Sequence, residues 1–179
     1  EAGWRRQGRE RQLKYIEACT PAAWLGGGAS QGKTMLLHCE EGFGETLQVG
    51  RFAADGAARG ATVVLQVQRG LKEVLTGLAG VTHLIEEGEP LPEFDFQCPL
   101  LSLPLELGYH KSAQLPPRDP YLHADPMRVK YWQQRMGELG MQRDPRVGVV
   151  WSGNSNYRRD RQRSLSVADF MQLMPADLN

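Results

Sequence analysis

Short apolar runs alternate with helix-like stretches along most of this chain, and no other feature of the sequence constrains its fold as tightly. Thr34-Met35-Leu36-Leu37-His38-Cys39 and Ala61-Thr62-Val63-Val64-Leu65-Gln66-Val67 read as buried strands, as do shorter runs at 82–85, 94–98 and 146–151. Helix candidates lie at 45–59, 70–78, 99–107, 126–139 and 166–174. This alternation predicts an α/β protein with a Rossmann-like, mostly parallel sheet and helices on both faces. Local punctuation agrees with the pattern. Gly60 follows Arg59 as a helix stop. Leu71, Val74, Leu75 and Leu78 form one apolar helix face. Asp125-Pro126 reads as a cap followed by proline in the first helical position.

Two glycine clusters lie near the first strand. Gly27-x4-Gly32-Lys33-Thr34 matches the phosphate-cradling P-loop pattern. That loop must leave a buried strand and enter a helix, whose N-terminal N–H groups hold the phosphate. Here the order is reversed: proline and small residues precede the glycines, and Lys33 opens a strand. Gly42-Phe43-Gly44 has the required context. It leaves the strand over 34–39 and enters the helix candidate at 45–59, with Glu45 in the first turn, where negative charge suits the helix dipole. Gly50 and Gly56 weaken that helix by about 1 kcal/mol each relative to alanine. Strand, glycine turn, helix is the order in which open α/β sheets build sites at the carboxyl ends of their strands.

A second constellation follows the run Arg146-Val147-Gly148-Val149-Val150-Trp151. The small-residue turn Ser152-Gly153-Asn154 comes next, and then Arg158, Arg159, Arg161, Arg163 and Ser164. The arginine fork matches phosphate oxygens and keeps its charge, so an anion-binding turn stands beside the plain reading of a solvated basic loop. Ser164 could begin the helix at 166–174, or Ser166 could cap it with Asp169 three residues on, a variant of the capping box. Between the two constellations, Pro116, Pro117 and Pro120 predict an extended connection across 108–125 that joins two domains.

Bulk composition excludes some classes. Twenty-one basic residues balance 21 acidic ones, which gives no general nucleic-acid or membrane-surface binder. No apolar run approaches the roughly 20 residues of a membrane-spanning helix. Cys19, Cys39 and Cys98 form neither a C-x-x-C pair nor a disulfide framework, so a reducing, cytoplasmic setting is expected. Cys39 and Cys98 are read as small apolar packing residues. His83, His110 and His123 lack metal-ligand spacing, and His38, within a strand, is read as structural. Trp132, Arg135, Met136 and Leu139 are read as a packing stripe rather than a ligand contact. Both ends of the sequence look cut, and a fragment of a longer protein is expected.

The stretches "WLGGGASQGKTMLLHCEEGFGETLQVGRFAADGAARGATVVLQV", "GEPLPEFDFQCPLLSLPLELG" and "GVVWSGNSNYRRDRQRS" together resemble a known family. It is the glycosyltransferase-like domain that follows tetratricopeptide repeats in bacterial proteins, related to the heptosyltransferases, and the likeness runs from about Trp24 to the end. The resemblance implies the amino-terminal half of a two-domain GT-B glycosyltransferase fold, built of two facing Rossmann-like domains. Its expected organisation is a polar lead-in at 1–29, an acceptor-type domain at 30–115, a linker and helix at 116–145, and the start of a truncated nucleotide-sugar domain at 146–179.

The implied chemistry is transfer of a sugar from a nucleotide-activated donor to an acceptor hydroxyl. Gly42, Phe43, Gly44, Ser152, Gly153, Asn154, Arg158, Arg161, Arg163 and Ser164 would bind substrates. Glu45 would take the acceptor proton as general base. Helix N-termini and arginines would stabilise the leaving diphosphate, with neither a metal nor another cofactor implied. Related sequences usually carry Asp where Glu45 stands. The extra methylene moves the carboxylate by about an ångström, a distance that matters in a positioned site, and leaves Glu40 and Glu41 as alternative bases. Protein partners would come through upstream repeats. Two other readings stay open: a binding or scaffold module that has kept the fold without the chemistry, and, further off, a P-loop nucleotide hydrolase. By itself the fragment is expected to turn over no substrate, because a site between facing domains needs both walls.

Overall fold

A computed structural model of the chain describes residues 22–26, 30–40, 42–115, 120–141, 148–153, 155 and 160–173. The chain divides into two compact units, Glu1–Asp125 and Pro126–Asn179.

In the first unit the elements run in the order β1 (Thr34–His38), α1 (Phe43–Gly50), α2 (Ala53–Ala58), β2 (Thr62–Val67), α3 (Lys72–Leu75), β3 (Val81–Glu86) and β4 (Phe96–Pro99). A single 3₁₀ turn (Leu100–Ser102) and the short helix α4 (Leu103–Glu106) follow. The four strands form one sheet in the order β3-β2-β1-β4, and every pairing is parallel. Ala23 adds a parallel bridge outside β4, against Gln97. The sheet is thus wholly parallel where the sequence predicted a mostly parallel one.

The strands read as continuous apolar runs because both sheet faces are buried. Met35, Leu37, Val63, Leu65, Val67 and Cys98 share one face and one cluster with Val49, Phe52, Ala53, Leu75 and Leu103 from the helices. Leu36 and Val64 lie on the opposite face and are fully buried, together with the polar side chains of His38, Gln66 and Gln97. Helices were expected on both faces, but the buried apolar residues of the described helices all join the first cluster.

The helix expected over 45–59 is two helices. The chain turns at Arg51-Phe52, where the Phe52 amide donates to the Val49 carbonyl at 3.0 Å, and Phe52 is inserted into the core. Gly50 and Gly56, read from sequence as weak points, are contact points instead. A β-carbon at Gly56 would stand 3.2 Å from the Met35 methyl, and one at Gly50 would stand 3.5 Å from Leu78. Gly60 ends α2 with φ +88°, a conformation that favours glycine.

The helix expected over 70–78 shortens to Lys72–Leu75. Thr76 is extended at φ −59°, ψ 128°, and Gly77 has φ +81°. Leu71, Leu75 and Leu78 are buried as expected, but Val74 faces solvent. Within the expected connection over 108–125, Pro116 and Pro117 lie outside the described residues. Leu115, Tyr121 and Leu122 pack against the core, and the Tyr121 hydroxyl donates to the Leu47 carbonyl in α1.

The second unit contains α5 (Pro126–Glu138), a 3₁₀ turn (Asp160–Gln162) and α6 (Val167–Leu173). α5 begins on the predicted proline. α6 is capped as the sequence indicates: the Asp169 amide donates to Ser166 Oγ at 3.1 Å, and that hydroxyl donates to Asp169 Oδ2 at 2.6 Å. The strand expected at 146–151 is not formed over 148–151, while 146 and 147 lie outside the described residues. A strand needs a ladder of partners for its N–H and C=O groups; the Leu165 amide donates to the Trp151 carbonyl at 2.8 Å, but no ladder forms among the described residues, and Val150 is 89% exposed. The stripe on α5 is not buried either, with Trp132 and Leu139 more than half exposed. Among the described residues, no helix is long and apolar enough to cross a membrane.

Candidate functional site

Strand order marks one place in the fold as a candidate site. From β1 the chain proceeds outward through β2 to β3, then returns to place β4 on the other side of β1. The direction of winding therefore reverses between β1 and β4. In open parallel sheets, ligands bind outside the carboxyl ends of the strands at this reversal. The described segments that leave those two ends are Cys39-Glu40 and Gly42–Glu45 after β1, and Leu100–Ser102 after β4. They meet directly, because the Leu101 amide donates to Glu40 Oε2 at 3.3 Å.

Gly42 is the N-cap of α1, extended at φ −84°, ψ 176°, and has no side chain with which to cap the helix. The first amides of a helix have no intrahelical acceptor, so this end carries open donors and the positive end of the dipole. Gly42, Phe43, Gly44 and Glu45 are all exposed, whereas Thr46, one residue on, is buried. Phe43 stands half in solvent at the mouth of the turn. A β-carbon at Gly42 would lie 3.0 Å from Glu45 Oε2. The carboxylate is therefore folded back over the turn, as the third helical residue of a capping box does.

Two fastenings hold the turn against the sheet. The Cys39 amide donates to the Gln66 carbonyl at 3.1 Å. Gln68, just past β2, donates from Nε2 to the Gly42 carbonyl at 3.3 Å and accepts from Thr46 Oγ1 at 2.9 Å. Sequence reading missed Gln68 and Thr46. The available signal was a glutamine placed directly after an apolar strand, where the chain ought to turn outward.

Two buried groups flank the turn. His38 ends β1 at 2% exposure. Burial pulls its pKa down to about 4, against a smaller opposing effect of the Cys39 backbone and the Gln97 side chain. The Cys39 thiol is pushed up to about 12 by burial and by the Glu87 carboxylate, to which it donates at 3.5 Å. At neutral pH the Cys39 thiol therefore stays protonated and inert, and the His38 imidazole is uncharged. Cys98, also buried, is raised for the same first cause.

The first glycine cluster has different surroundings. Lys33 stands at the amino end of β1, and its Nζ donates to Asp95 Oδ1 at 2.9 Å. The second oxygen of Asp95 accepts from the Thr34 amide at 2.8 Å. Lys33 leads into a strand, the reverse of a phosphate-binding loop.

In the second unit, Asp160 gathers part of the predicted basic constellation. Its Oδ1 accepts from Ser164 Oγ at 2.8 Å and from Arg163 Nε at 3.2 Å. Ser164 Oγ in turn accepts from the Gly153 amide at 2.9 Å. The turn is closed by its own carboxylate, which an incoming phosphate would have to displace. Ser152 and Arg161 are exposed beside it, while Asn154 and Arg158 lie outside the described residues. Among the described residues, no group of three or more His, Cys, Asp and Glu side chains is arranged to hold a metal ion.

No family model, no curated protein and no solved structure matches this chain. The chain is a four-stranded parallel α/β unit joined to a second unit, with an exposed glycine turn at the reversal of the sheet.

Proposed function

We propose that this chain carries the acceptor half of a glycosyltransferase, which moves a sugar from a nucleotide-activated donor to an acceptor hydroxyl within a two-domain GT-B architecture. One observation carries the reading: the exposed turn Gly42-Phe43-Gly44-Glu45 leaves the carboxyl end of β1 at the switch point of a parallel sheet. The Glu45 carboxylate is the general base, accepting the acceptor proton as the new bond forms to the anomeric carbon and the bond to the diphosphate breaks. Phe43 offers an apolar face to a sugar ring. The glycines let a ligand approach the backbone. In the second unit, Arg161, Arg163 and Ser164 are groups of the kind that bind a diphosphate.

A second reading has its own support. The Glu45 carboxylate rests over its own helix N-terminus, which suits a saccharide-binding module without turnover. Transfer from radiolabelled nucleotide sugars by the natural protein that contains this chain separates the two. The proposal predicts transfer that Glu45→Gln abolishes. Transfer unchanged in Glu45→Gln removes Glu45 as the base, and binding without any transfer selects the second reading.

A further inference from the structure

The sugar-binding reading gives the glycine turn its role but leaves open what holds the turn in a productive shape. An N-cap glycine at φ −84° and ψ 176° is in a conformation open to any residue, so nothing in its own backbone locks it. Gln68 supplies the missing constraint. Its side chain is buried to 9% exposure and used at both ends, Nε2 to the Gly42 carbonyl at 3.3 Å and Oε1 to Thr46 Oγ1 at 2.9 Å. The amide has only one sensible orientation. A carbonyl can only accept, so the NH₂ group must face Gly42, whereas the threonine hydroxyl can serve the oxygen. The Gly42 carbonyl also receives the Thr46 amide at 3.3 Å. One N-cap oxygen is thus tied to the helix that follows it and to the end of the neighbouring strand.

We infer that Gln68 is the positioning residue of this site. By bridging Gly42 and Thr46 it fixes the angle at which Phe43, Gly44 and Glu45 meet a ligand. Gln68 itself touches no ligand; it acts through the turn. The bond pair links the end of β2 to the start of α1, so the turn is registered against the sheet instead of riding on the helix alone. Displacement of a positioned group by an ångström costs about a hundredfold in rate, which sets the scale of what Gln68 protects. This inference rests on the sugar-binding reading for its functional consequence, while its structural half stands on the bridge.

The test uses ¹⁵N-labelled chain and the variants Gln68→Met, Gln68→Glu and Thr46→Ser. Gln68→Met keeps length and loses both bonds. Gln68→Glu keeps the acceptor for Thr46 and loses the donor to Gly42, so it serves if the methionine variant fails to fold. Thr46→Ser keeps the hydroxyl. Hydrogen exchange is read at the Thr46 amide, with the Leu36 and Val64 amides in the sheet as internal controls. Affinity is read with the methyl glycosides of glucose, galactose and mannose and with N-acetylglucosamine.

The expected result for Gln68→Met is at least tenfold faster exchange at Thr46 than the change at Leu36 and Val64, with glycoside affinity down by a similar factor. Thr46→Ser should behave as the parent does. Exchange that rises equally at all three amides, or a loosened turn that binds glycosides as before, overturns the inference. If the parent binds none of the four probes, the sugar-binding reading fails. Gln68 is then judged by exchange alone, and unchanged exchange at Thr46 overturns it.

Discussion

Acidification should unlatch the strand that presents the turn, and His38 sets the size of the effect. Its imidazole lies at the carboxyl end of β1 with 2% of its surface exposed, and burial lowers its pKa from 6.5 to about 4. The folded state therefore prefers the neutral ring, and the unfolded state binds the proton first. The resulting stability is fully present above pH 6.5 and is lost as pH falls through about 4. At 1.36 kcal/mol per pH unit, that gap amounts to about 3 kcal/mol, a large share of the 5–15 kcal/mol typical of a domain. The Glu89 and Asp95 carboxyls, held below their usual range by hydrogen bonds from Lys72 and from the Thr34 amide, act with the same sign at the acid end, so a control is needed. His38→Gln removes the titration and keeps a polar side chain beside Gln97. Urea denaturation of both proteins from neutral pH down to about pH 4 gives the difference in unfolding free energy. That difference should shift by about 3 kcal/mol against the parent across the window. A difference independent of pH, or an NMR titration placing His38 at or above 6.5, would show that burial does not hold the ring neutral.

Three further outcomes are expected. Gly80→Ala forces a side chain onto a residue at φ +82° and sets its β-carbon 2.7 Å from the Ala54 nitrogen. Left-handed strain of about 1–2 kcal/mol and overpacking of about 1–3 kcal/mol should add up to a clear loss of stability by urea denaturation. Lys33→Ala removes an ion pair with both side chains well exposed; it should cost less than about 1 kcal/mol and leave nucleotide affinity, measured by calorimetry, unchanged. Cys39 and Cys98 are buried with raised pKa values. Thiol labelling near neutral pH, mapped by mass spectrometry, should reach both only after denaturant is added.

The sheet was legible because parallel strands buried on both faces leave unbroken apolar runs, and β1 and β2 fall where Met35–Leu37 and Val63–Leu65 indicated. The glycine turn was legible for a related reason: a strand ending in Gly42-Phe43-Gly44 and leading into a helix has few other structures open to it. Helix extents were harder. Periodicity carried the pattern through Arg51-Phe52, where burial of Phe52 bends the chain, and through Thr76-Gly77, where positive φ ends it. The run over 148–151 was apolar enough for a strand, but a strand is a property of two segments and the sequence of one shows no partner. Side-chain bridges, whether across 22 residues as from Gln68 to Thr46 or within one turn as from Asp160 to Ser164 and Arg163, leave no trace in the apolar periodicity. These bridges decide how each site is held.

The most direct test is the footprint of a saccharide on the ¹⁵N amide spectrum of this chain. Shifts are expected at Gly42, Phe43, Gly44, Glu45 and Thr46, with a weaker response at Leu101, and silence at Gly32 and Lys33. Shifts centred on Gly32 and Lys33, or distributed away from the β1 and β4 carboxyl ends, would contradict the sugar-binding reading.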